Sequence, residues 1–498
     1  MKTLATLGMF VWATIGVTAQ PSAVAPLTAA YRPDRILVMP RRDADPGPLA
    51  KLQSSLGSRM LQGFANLGGL QVVSVPDNET VPSAIQRFQK SGLVEFAEPD
   101  YLRFLNAVPN DPNYTNGNLW GLNNTGQGGG LADADIDAPE AWDVLSSASN
   151  IVVAVLDTGI RYTHEDLAAN VWTNPNGGGH GFNAFDGSTN VLETDGVGHG
   201  TLVSGVVGAV GNNSKGVTGV AWRVQLMAGK CFDGAGNSSD SLIIACIDYA
   251  RTNGANIMIA AFDSPGYSQS LSNAIYAARE AGIIFVSSCG NAPPPTYTPV
   301  NVDVSPRYPA CYGIDNIVSV AYTDRGDNLG VLSNYGATNV DLAAPGEQIY
   351  TTHVATDSFY TGFYSGTSLA APYVAGTFAL MKVKFPTETH QQLIARVLAG
   401  VDPLPALAGK CATGGRLNLR KALSPPIQLT LLSTAGTLPL QFRVHAGPSR
   451  SCIIEASTSL TNWSPVFTNI TSATGTFDYV AATSTNSPRY FYRAVSTL

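Results

Sequence analysis

Residues 364–376 read YSGTSLAAPYVAG, and small side chains such as Gly366 and Ala370 surround the hydroxyl of Ser368. The run continues into an apolar helical pattern from Val374 to Val383. Small neighbours allow other backbone segments to come close to Ser368. A helix that begins here points free N–H groups and the positive end of its dipole toward the space beside this hydroxyl. Taken alone, the stretch is also compatible with a buried helix start that has no chemical role.

Upstream of this stretch, apolar runs alternate with helical patterns. Each apolar run is short and continuous, which is typical of strands buried on both faces of a parallel sheet. The predicted strands are Ile151–Leu156, Val224–Met227, Ile257–Phe262, Ile283–Val286 and Ile317–Ala321. The predicted helices are Gly200–Val210, Ser239–Thr252, Ser270–Ala281 and Ser368–Lys384. The alternation predicts an α/β domain with a parallel sheet and helices on both faces, which binds ligands at the carboxyl ends of its strands.

The composition indicates a globular protein with more than one domain. The chain has 498 residues, of which 13% are charged and 44% hydrophobic. Because single hydrophobic cores stop growing at roughly 250–300 residues, we expect about two to four domains. The net charge is −7 without a basic stripe, which argues against nucleic acid as a partner.

The first residues have the pattern of a secretory signal peptide. Lys2 precedes an apolar run from Leu4 to Val17, and residues 17–19 (VTA) form a small-residue cleavage site. No later apolar run approaches the roughly 18 residues that a membrane span needs. We therefore expect a secreted protein without a membrane span, located outside the cell, in a periplasm or at a cell surface.

Two smaller units flank the α/β domain. Before it, a βαββαβ order predicts a ferredoxin-like unit, with strands and helices at Arg35–Pro40, Pro48–Leu56, Leu61–Phe64, Leu70–Val75, Val81–Lys90 and Val94–Phe96. After Pro426, short strands separated by turn residues predict a small β-sandwich, at Gln428–Leu432, Gln441–Val444, Cys452–Ala456, Val466–Ile470, Thr476–Val480 and Tyr490–Val495. The predicted domains are therefore residues 1–19 (signal peptide), 20–106 (accessory unit), 107–424 (α/β domain) and 425–498 (β module).

The six cysteines allow 15 disulfide connectivities in an exported chain. The pairs Cys231–Cys246 and Cys289–Cys311 are the first we would expect. Free buried thiols are an alternative that the sequence leaves open.

Three stretches carry side chains that can act together. Residues 155–160 (VLDTGI) end a predicted strand at Asp157, and residues 198–205 (GHGTLVSG) begin a helix at His199. With Ser368 they supply an acid, an imidazole and a hydroxyl, as acyl transfer by a serine nucleophile requires. Separately, Asp157 fits a helix cap or a turn, and His199 a core histidine; the joint occurrence favours catalysis.

The order Asp, His, Ser in DTGI, GHGT and SGTSLAAP resembles the subtilisin-like serine proteases, or subtilases, over about residues 110–423. The resemblance implies that Asp157 orients the imidazole, His199 is the general base and acid, and Ser368 is the nucleophile. Asn291, which follows the apolar strand IIFV, matches the family's oxyanion-hole asparagine. The resemblance further implies a secreted, monomeric endopeptidase that acts on protein or peptide substrates and needs no cofactor for its chemistry.

The same resemblance assigns roles to other segments. The unit at residues 20–106 resembles the family's propeptide, which implies a zymogen whose own propeptide is an intramolecular inhibitor. Asp166 matches a calcium ligand of the family, and the loop with Asn212 and Val217 lies where that structural Ca²⁺ takes its other oxygens. The alternative for this loop is a turn capped by asparagine.

The segment expected to bind substrate departs from the family pattern. Ala261, Phe262 and Asp263 stand where subtilases have Ser-x-Gly. A carboxylate at position 263 narrows the pocket, favours a basic substrate residue or impairs peptide binding. The alternative function is therefore a subtilase-fold protein with impaired peptidase activity that binds peptides or a surface.

Overall fold

The computed structural model describes residues 31–41, 45–76, 79–101, 108–194, 196, 198–424, 427–432, 440–446, 451–459, 462–471, 476–481 and 491–496. The predicted signal peptide lies outside the described residues. Those of 108–424 form one compact unit, and those of 31–101 together with 427–496 form a second.

The N-terminal segment is a four-stranded antiparallel sheet with two helices. Its elements are β1 (Tyr31–Pro40), α1 (Pro46–Ser55), β2 (Met60–Phe64), β3 (Leu70–Ser74), α2 (Val81–Lys90) and β4 (Val94–Tyr101). The strand order is β2-β3-β1-β4. Helix α2 buries its apolar face, including Ile85 and Phe88, against the sheet. The predicted ferredoxin-like pattern is confirmed.

The larger unit is built on a nine-stranded sheet that is parallel except at one edge. Its strands are β5 (Ser147–Asp157), β6 (Gly181–Asn183), β7 (Arg223–Lys230), β8 (Ile257–Ala260), β9 (Ile284–Ser288), β10 (Ile317–Thr323), β11 (Leu342–Pro345), β14 (Asp402–Pro403) and β15 (Gly415–Arg416). Their order is β14-β15-β11-β10-β9-β8-β5-β7-β6. Only β14 runs antiparallel to its neighbour. A separate hairpin pairs β12 (Ile349–Thr352) with β13 (Tyr360–Tyr364).

Helices cover both faces of this sheet. They are α3 (Pro112–Thr115), α4 (Ala138–Trp142), α5 (His199–Gly208), α6 (Asp240–Thr252), α7 (Gln269–Glu280), α8 (Thr367–Lys384), α9 (His390–Ala399) and α10 (Leu419–Ala422). Alternate residues of β5 point to opposite sides: Val153 and Val155 join the core beneath α5 and α8, whereas Ala154 and Leu156 join the core beneath α6 and α7. The predicted α/β class with helices on both faces is confirmed.

The C-terminal segment forms two three-stranded antiparallel sheets. Its strands are β16 (Gln428–Leu431), β17 (Gln441–His445), β18 (Ser451–Ser457), β19 (Ser464–Ile470), β20 (Thr476–Val480) and β21 (Phe491–Ser496). The orders are β16-β17-β20 and β19-β18-β21. Val444 of one sheet and Ile454 of the other share a small apolar core, as a sandwich requires.

The two disulfides expected first are not formed. Cys231, Cys246, Cys289 and Cys311 all keep free thiols. Cys231 and Cys246 share one apolar cluster, and the Cys289 thiol lies 3.2 Å from the carbonyl oxygen of Asn334. Burial raises the pKa of the Cys231 and Cys289 thiols, so both are held in their unreactive protonated form.

In the described part of the chain, no helix is long and apolar enough to cross a bilayer.

Candidate active site

The predicted site residues converge at the carboxyl ends of three neighbouring strands. Asp157 is the last residue of β5, Ala261 directly follows β8, and Asn291 lies just beyond β9. Because β9, β8 and β5 are adjacent in the sheet, these residues share one edge. His199 begins α5 and Ser368 is the second residue of α8. The edge at which parallel strands end is where α/β folds bind ligands.

Asp157 and His199 form a buried ion-pair geometry. The Nδ1 atom of His199 lies 2.8 Å from Oδ2 and 2.9 Å from Oδ1 of Asp157, whose residue surface is only 3% exposed. Burial opposes the charged imidazolium, but the charge and the hydrogen bond of the Asp157 carboxylate outweigh it and raise the pKa of His199. This arrangement fixes the Nδ1–H tautomer and leaves Nε2 to accept a proton.

Close backbone packing sets the position of this pair. A Cβ atom on Gly200 would lie 2.0 Å from the carbonyl oxygen of Gly159, so only glycine lets α5 approach the turn after β5. The Asp157 carbonyl oxygen accepts from the N–H groups of Cys231 and Phe232, at 2.9 and 3.1 Å. These contacts hold the end of β5 against the segment that follows β7.

The hydroxyl of Ser368 points at the residue that directly follows strand β8. Its Oγ donates to the carbonyl oxygen of Ala261 at 2.8 Å. Ser368 is partly exposed, and its backbone N–H is among the first N–H groups of α8, which have no acceptor inside the helix. The nucleophile candidate therefore sits where a helix dipole and a free donor favour developing negative charge.

Asn291 is oriented by the residue before Ser368. Its Oδ1 accepts from the N–H and the hydroxyl of Thr367, at 3.0 and 3.2 Å. Because Oδ1 is used in this way, Nδ2 is the atom left to donate to a ligand. Gly366 packs closely beside it, since a Cβ atom there would lie 3.2 Å from Nδ2.

A cavity of about 240 Å³ opens beside these groups. Asp157, His199, Ala261 and Phe262 line it, and the ring of Phe232 lies against that of Phe262 with 4.9 Å between centroids. The cavity thus presents the imidazole on one side and apolar rings on the other. Such a surface can hold an extended peptide with an apolar side chain.

The carboxylate of Asp263 is not an isolated charge. Its Oδ2 lies 3.6 Å from Nη1 of Arg307, and both side chains are largely buried. Burial raises the pKa of Asp263, and Arg307 counteracts this increase. The carboxylate packs against Gly290, where a Cβ atom would lie 2.6 Å from Cγ of Asp263. Asp263 also lines a neighbouring cavity of about 210 Å³ with Phe262.

The predicted calcium ligands form a cluster of their own. Asp166 is fully buried; its Oδ1 accepts from Nδ2 of Asn213 at 2.7 Å and its Oδ2 from the N–H of Val217 at 2.8 Å. Asn212 instead donates its N–H to Oδ2 of the buried Asp111, at 2.7 Å. The structure therefore brings Asp166 and Val217 together and places Asn212 beside Asp111.

The chemistry of this cluster is compatible with a hard cation. Burial raises the pKa of Asp111 and of Asp166, so two carboxylates lie there at a cost in solvation. The ammonium of Lys215 pairs with Glu165 at 3.2 Å and not with either of them. Among the described residues, no three His, Cys, Asp or Glu side chains are grouped as metal ligands. Amide and carbonyl oxygens would have to complete a Ca²⁺ site.

Sequence reasoning missed several residues that shape the site. Thr158 and Thr367 were in quoted stretches next to Asp157 and Ser368, and this adjacency was the available signal. Glu193 is a buried carboxyl group near His199, and its position shortly before His199 in the sequence was the available signal. The pairing of Arg307 with Asp263 had no local signal, because the two residues are distant in sequence.

Comparisons with known proteins identify the families that two segments of the chain match. A family model described as "Subtilase family" matches residues 148–416, and one described as "Fervidolysin N-terminal prodomain" matches residues 18–100. The thermophilic serine proteinase of Bacillus sp. (strain AK1) is 32% identical over 320 residues, which are 62% of this chain and 71% of that protein. Thermitase of Thermoactinomyces vulgaris is 35% identical over 246 residues, which are 49% of this chain and 79% of that protein.

Solved structures show the same fold. A protease of Pseudoalteromonas arctica PAMC 21717 aligns with a TM-score of 0.53 and 26% identity. The alignment covers 64% of this chain and 99% of that protein.

Proposed function

This chain belongs to the subtilase family of serine proteases, and we propose that it cleaves peptide bonds through an acyl-enzyme formed on Ser368. His199 is the general base and acid, and Asp157 holds its imidazole. The observation that carries the proposal is the contact of His199 Nδ1 with both carboxylate oxygens of the buried Asp157. It leaves Nε2 as the proton acceptor beside the cavity.

The reaction begins when the Ser368 hydroxyl leaves the Ala261 carbonyl and donates to Nε2 of His199. Oγ then attacks the scissile carbonyl carbon as its proton passes to the imidazole. The imidazolium, held by Asp157, returns the proton to the leaving amine, and the acyl-enzyme remains on Ser368. A water molecule, activated by the same imidazole, hydrolyses the acyl-enzyme and restores the hydroxyl. Subtilases need no cofactor for this chemistry.

The oxyanion of the tetrahedral intermediate is stabilised by two donors. They are Nδ2 of Asn291 and the backbone N–H of Ser368. The support is the orientation of the Asn291 amide, whose Oδ1 is occupied by Thr367. Donors that are fixed before the reaction stabilise charge without reorganisation.

The substrate lies along Ala261, Phe262 and Asp263, with apolar contact to Phe232. The Ala261 carbonyl accepts a substrate N–H in place of the Ser368 hydroxyl. Arg307 compensates the charge of Asp263, which supports a pocket without a strong preference for basic residues.

The flanking segments direct the export of this protease and regulate its activity. Residues 1–19 are a signal peptide, and the protein is secreted. Residues 20–106 are a prodomain that inhibits residues 107–424 until it is cut, and residues 425–498 form a separate β module. The match to a fervidolysin-type prodomain supports the zymogen. The mature protease acts as a monomer.

A structural Ca²⁺ is bound near Asp166, with Asp111 as a neighbouring carboxylate and with Asn212, Asn213 and Val217 in the enclosing loop. Two buried carboxylates in one loop cluster support this site. The ion stabilises the fold and takes no part in the chemistry.

The experiment is to purify the secreted protein, sequence its N-terminus and assay casein hydrolysis against a Ser368→Ala variant. We expect a mature N-terminus near residue 107 and hydrolysis that the variant lacks. Equal, negligible hydrolysis by both proteins would favour the alternative, a peptide-binding protein with impaired activity.

A further inference from the structure

A second carboxyl group is buried directly behind the Asp157–His199 pair. Glu193 is 1% exposed and lines the same cavity as Asp157 and His199. Among the residues that the structure describes, two threonines contact its carboxyl oxygens: Oε1 contacts the hydroxyl of Thr158, and Oε2 contacts the N–H and the hydroxyl of Thr201. Glu193 takes no direct part in the proposed reaction.

The Thr158 hydroxyl links the two carboxyl groups. Its Oγ1 lies 3.2 Å from Oδ1 of Asp157, contacts Oε1 of Glu193 and accepts the N–H of Gly200 at 2.9 Å. A hydroxyl has one proton to donate. It can therefore donate to Asp157 or to Glu193, but not to both.

The Thr201 side shows where Glu193 can carry a proton. The Thr201 hydroxyl accepts the N–H of Arg161 at 2.9 Å, so its own proton is directed to Oε2 of Glu193. The Thr201 N–H also donates to Oε2, at 2.9 Å. Oε2 is thus an acceptor twice over. A proton on Glu193 belongs on Oε1, facing Thr158.

We propose that Glu193 is a positioning residue: its carboxyl proton, held on Oε1 and donated to Thr158, makes the Thr158 hydroxyl donate to Asp157. The inference rests on the roles proposed for Asp157 and His199. In this state each hydroxyl or carboxyl proton in the hydrogen-bonded series Thr201, Glu193, Thr158 and Asp157 faces an acceptor. The Asp157 carboxylate then receives the Thr158 N–H at 2.8 Å, the Thr158 hydroxyl and the His199 imidazole.

The charges around Glu193 favour its neutral form. Asp157 at the end of β5 repels a second negative charge on Glu193. His199 on α5 is neutral in the state in which it acts as a base, so it does not favour the carboxylate form of Glu193. The guanidinium of Arg161 is paired with Asp357 at 2.7 Å, and the aliphatic chain of Lys230 passes beside Gly159. Burial is the main cause that raises the pKa of Glu193, to about 7.

Ionisation of Glu193 changes the pair in a defined direction. The Thr158 hydroxyl turns to Glu193, so Asp157 loses one donor and becomes a stronger base. The new negative charge also favours the imidazolium form of His199. Both effects raise the pKa of His199, and the base becomes available only at higher pH. Keeping Glu193 neutral therefore keeps His199 active nearer neutral pH.

Two variants with different expected results test this inference. Glu193→Gln is always neutral, donates through Nε2 to Thr158 and accepts from Thr201. Because it reproduces the neutral carboxyl group, we expect the acidic limb of its kcat/KM–pH profile to stay at the parent pH. Thr158→Val removes the donor to Asp157, and its acidic limb is expected to move up by ~0.5–1 pH unit, as for one lost hydrogen bond to a carboxylate.

Glu193→Ala is the matched control for a merely structural role. Its kcat is expected to be about tenfold below that of Glu193→Gln at every pH, as for a lost hydrogen bond of ~1.4 kcal/mol. An acidic limb of Glu193→Gln that moves well below the parent pH would show that Glu193 is charged in the parent and would overturn the inference, as would a Thr158→Val limb that stays at the parent pH.

The His199 titration can also be followed without activity. NMR of the imidazole in a Ser368→Ala background should give the same pKa with Glu193→Gln as with Glu193, and a higher pKa with Thr158→Val. This readout separates the two proposals: an inactive parent protein refutes the proposed function, whereas a His199 titration that Thr158→Val leaves unshifted refutes the role of Glu193.

Discussion

The hydroxyl of Ser368 donates to the carbonyl oxygen of Ala261, at 2.8 Å, and not to the imidazole of His199. The proposed nucleophile thus contacts the residue that directly follows β8, in the segment that is proposed to bind substrate. On this proposal, a substrate N–H that binds the Ala261 carbonyl displaces the hydroxyl toward His199. Substrate binding and activation of the nucleophile would then be coupled through one carbonyl oxygen.

The first prediction concerns Asn291. Asn291→Ala removes Nδ2, the donor that Thr367 orients, and is expected to lower kcat by about 10²–10³-fold, as the equivalent loss does in subtilisin, with little change in KM. Steady-state kinetics on a chromogenic peptide measure this. Thr367→Ser, which keeps the N–H and the hydroxyl, is the control and should stay within a few-fold of the parent. A change in KM with an unchanged kcat would contradict the proposed role of Asn291.

The second prediction concerns pH. His199 must be neutral to act as a base, and its pKa is raised, so activity should be lost as pH falls through a value above the ordinary ~6.5. A pH profile of kcat/KM measures the midpoint. Asp157→Asn removes the charge that raises this pKa and is expected to cost about 10⁴-fold in kcat while lowering the His199 midpoint. An acidic midpoint well below 6.5 in the parent would be inconsistent with the pair described above.

Much of this architecture was accessible from sequence because its signals are local. Continuous apolar runs predicted β5 and β7–β10, and the sequence motifs identified the residues that now lie at one sheet edge. The short strands β11, β14 and β15 were missed, since two to four residues carry no periodic signal.

The side-chain pairings were less accessible. Nothing near Asp263 in the chain indicates that Arg307 compensates it, and nothing near Glu193 indicates that Thr158 joins it to Asp157. Such pairs exist only after the chain folds. The expected disulfides failed for the same reason, because sequence spacing does not report which way a thiol points.

The third prediction concerns specificity. Arg307→Gln leaves the Asp263 carboxylate uncompensated, and we expect kcat/KM for substrates with Lys before the scissile bond to rise about tenfold relative to Phe, equivalent to ~1.4 kcal/mol. The comparison belongs at pH 9, because burial raises the pKa of Asp263 and the loss of Arg307 raises it further. A peptide library measures the ratio.

Two controls accompany this test. Arg307→Lys keeps the charge and should preserve the parent ratio. Adding Asp263→Asn to Arg307→Gln should abolish the gain for Lys substrates. An unchanged Lys-to-Phe ratio in Arg307→Gln would show that Asp263 does not face the substrate.

The fourth prediction concerns calcium. If Ca²⁺ binds near Asp166, a concentration of 100 Kd stabilises the fold by ~2.7 kcal/mol. For a domain of this size we expect Tm to rise by about 4 °C on adding Ca²⁺ after chelation. Differential scanning calorimetry measures it. Asp166→Asn should lose most of the rise, and identical Tm values with chelator and with Ca²⁺ would exclude the site.

Ser368 is the proposed nucleophile, and labelling of the mature protein with a fluorophosphonate probe, followed by mass spectrometry of the modified peptide, tests this role. Ser365→Ala is the matched control, since Ser365 lies in the same stretch and its Oγ accepts the N–H of Gln348. We predict one label, on Ser368, that Ser365→Ala retains and that Ser368→Ala and His199→Ala lose. A mature protein that stays unlabelled, or a label that persists in Ser368→Ala, would show that Ser368 is not the nucleophile.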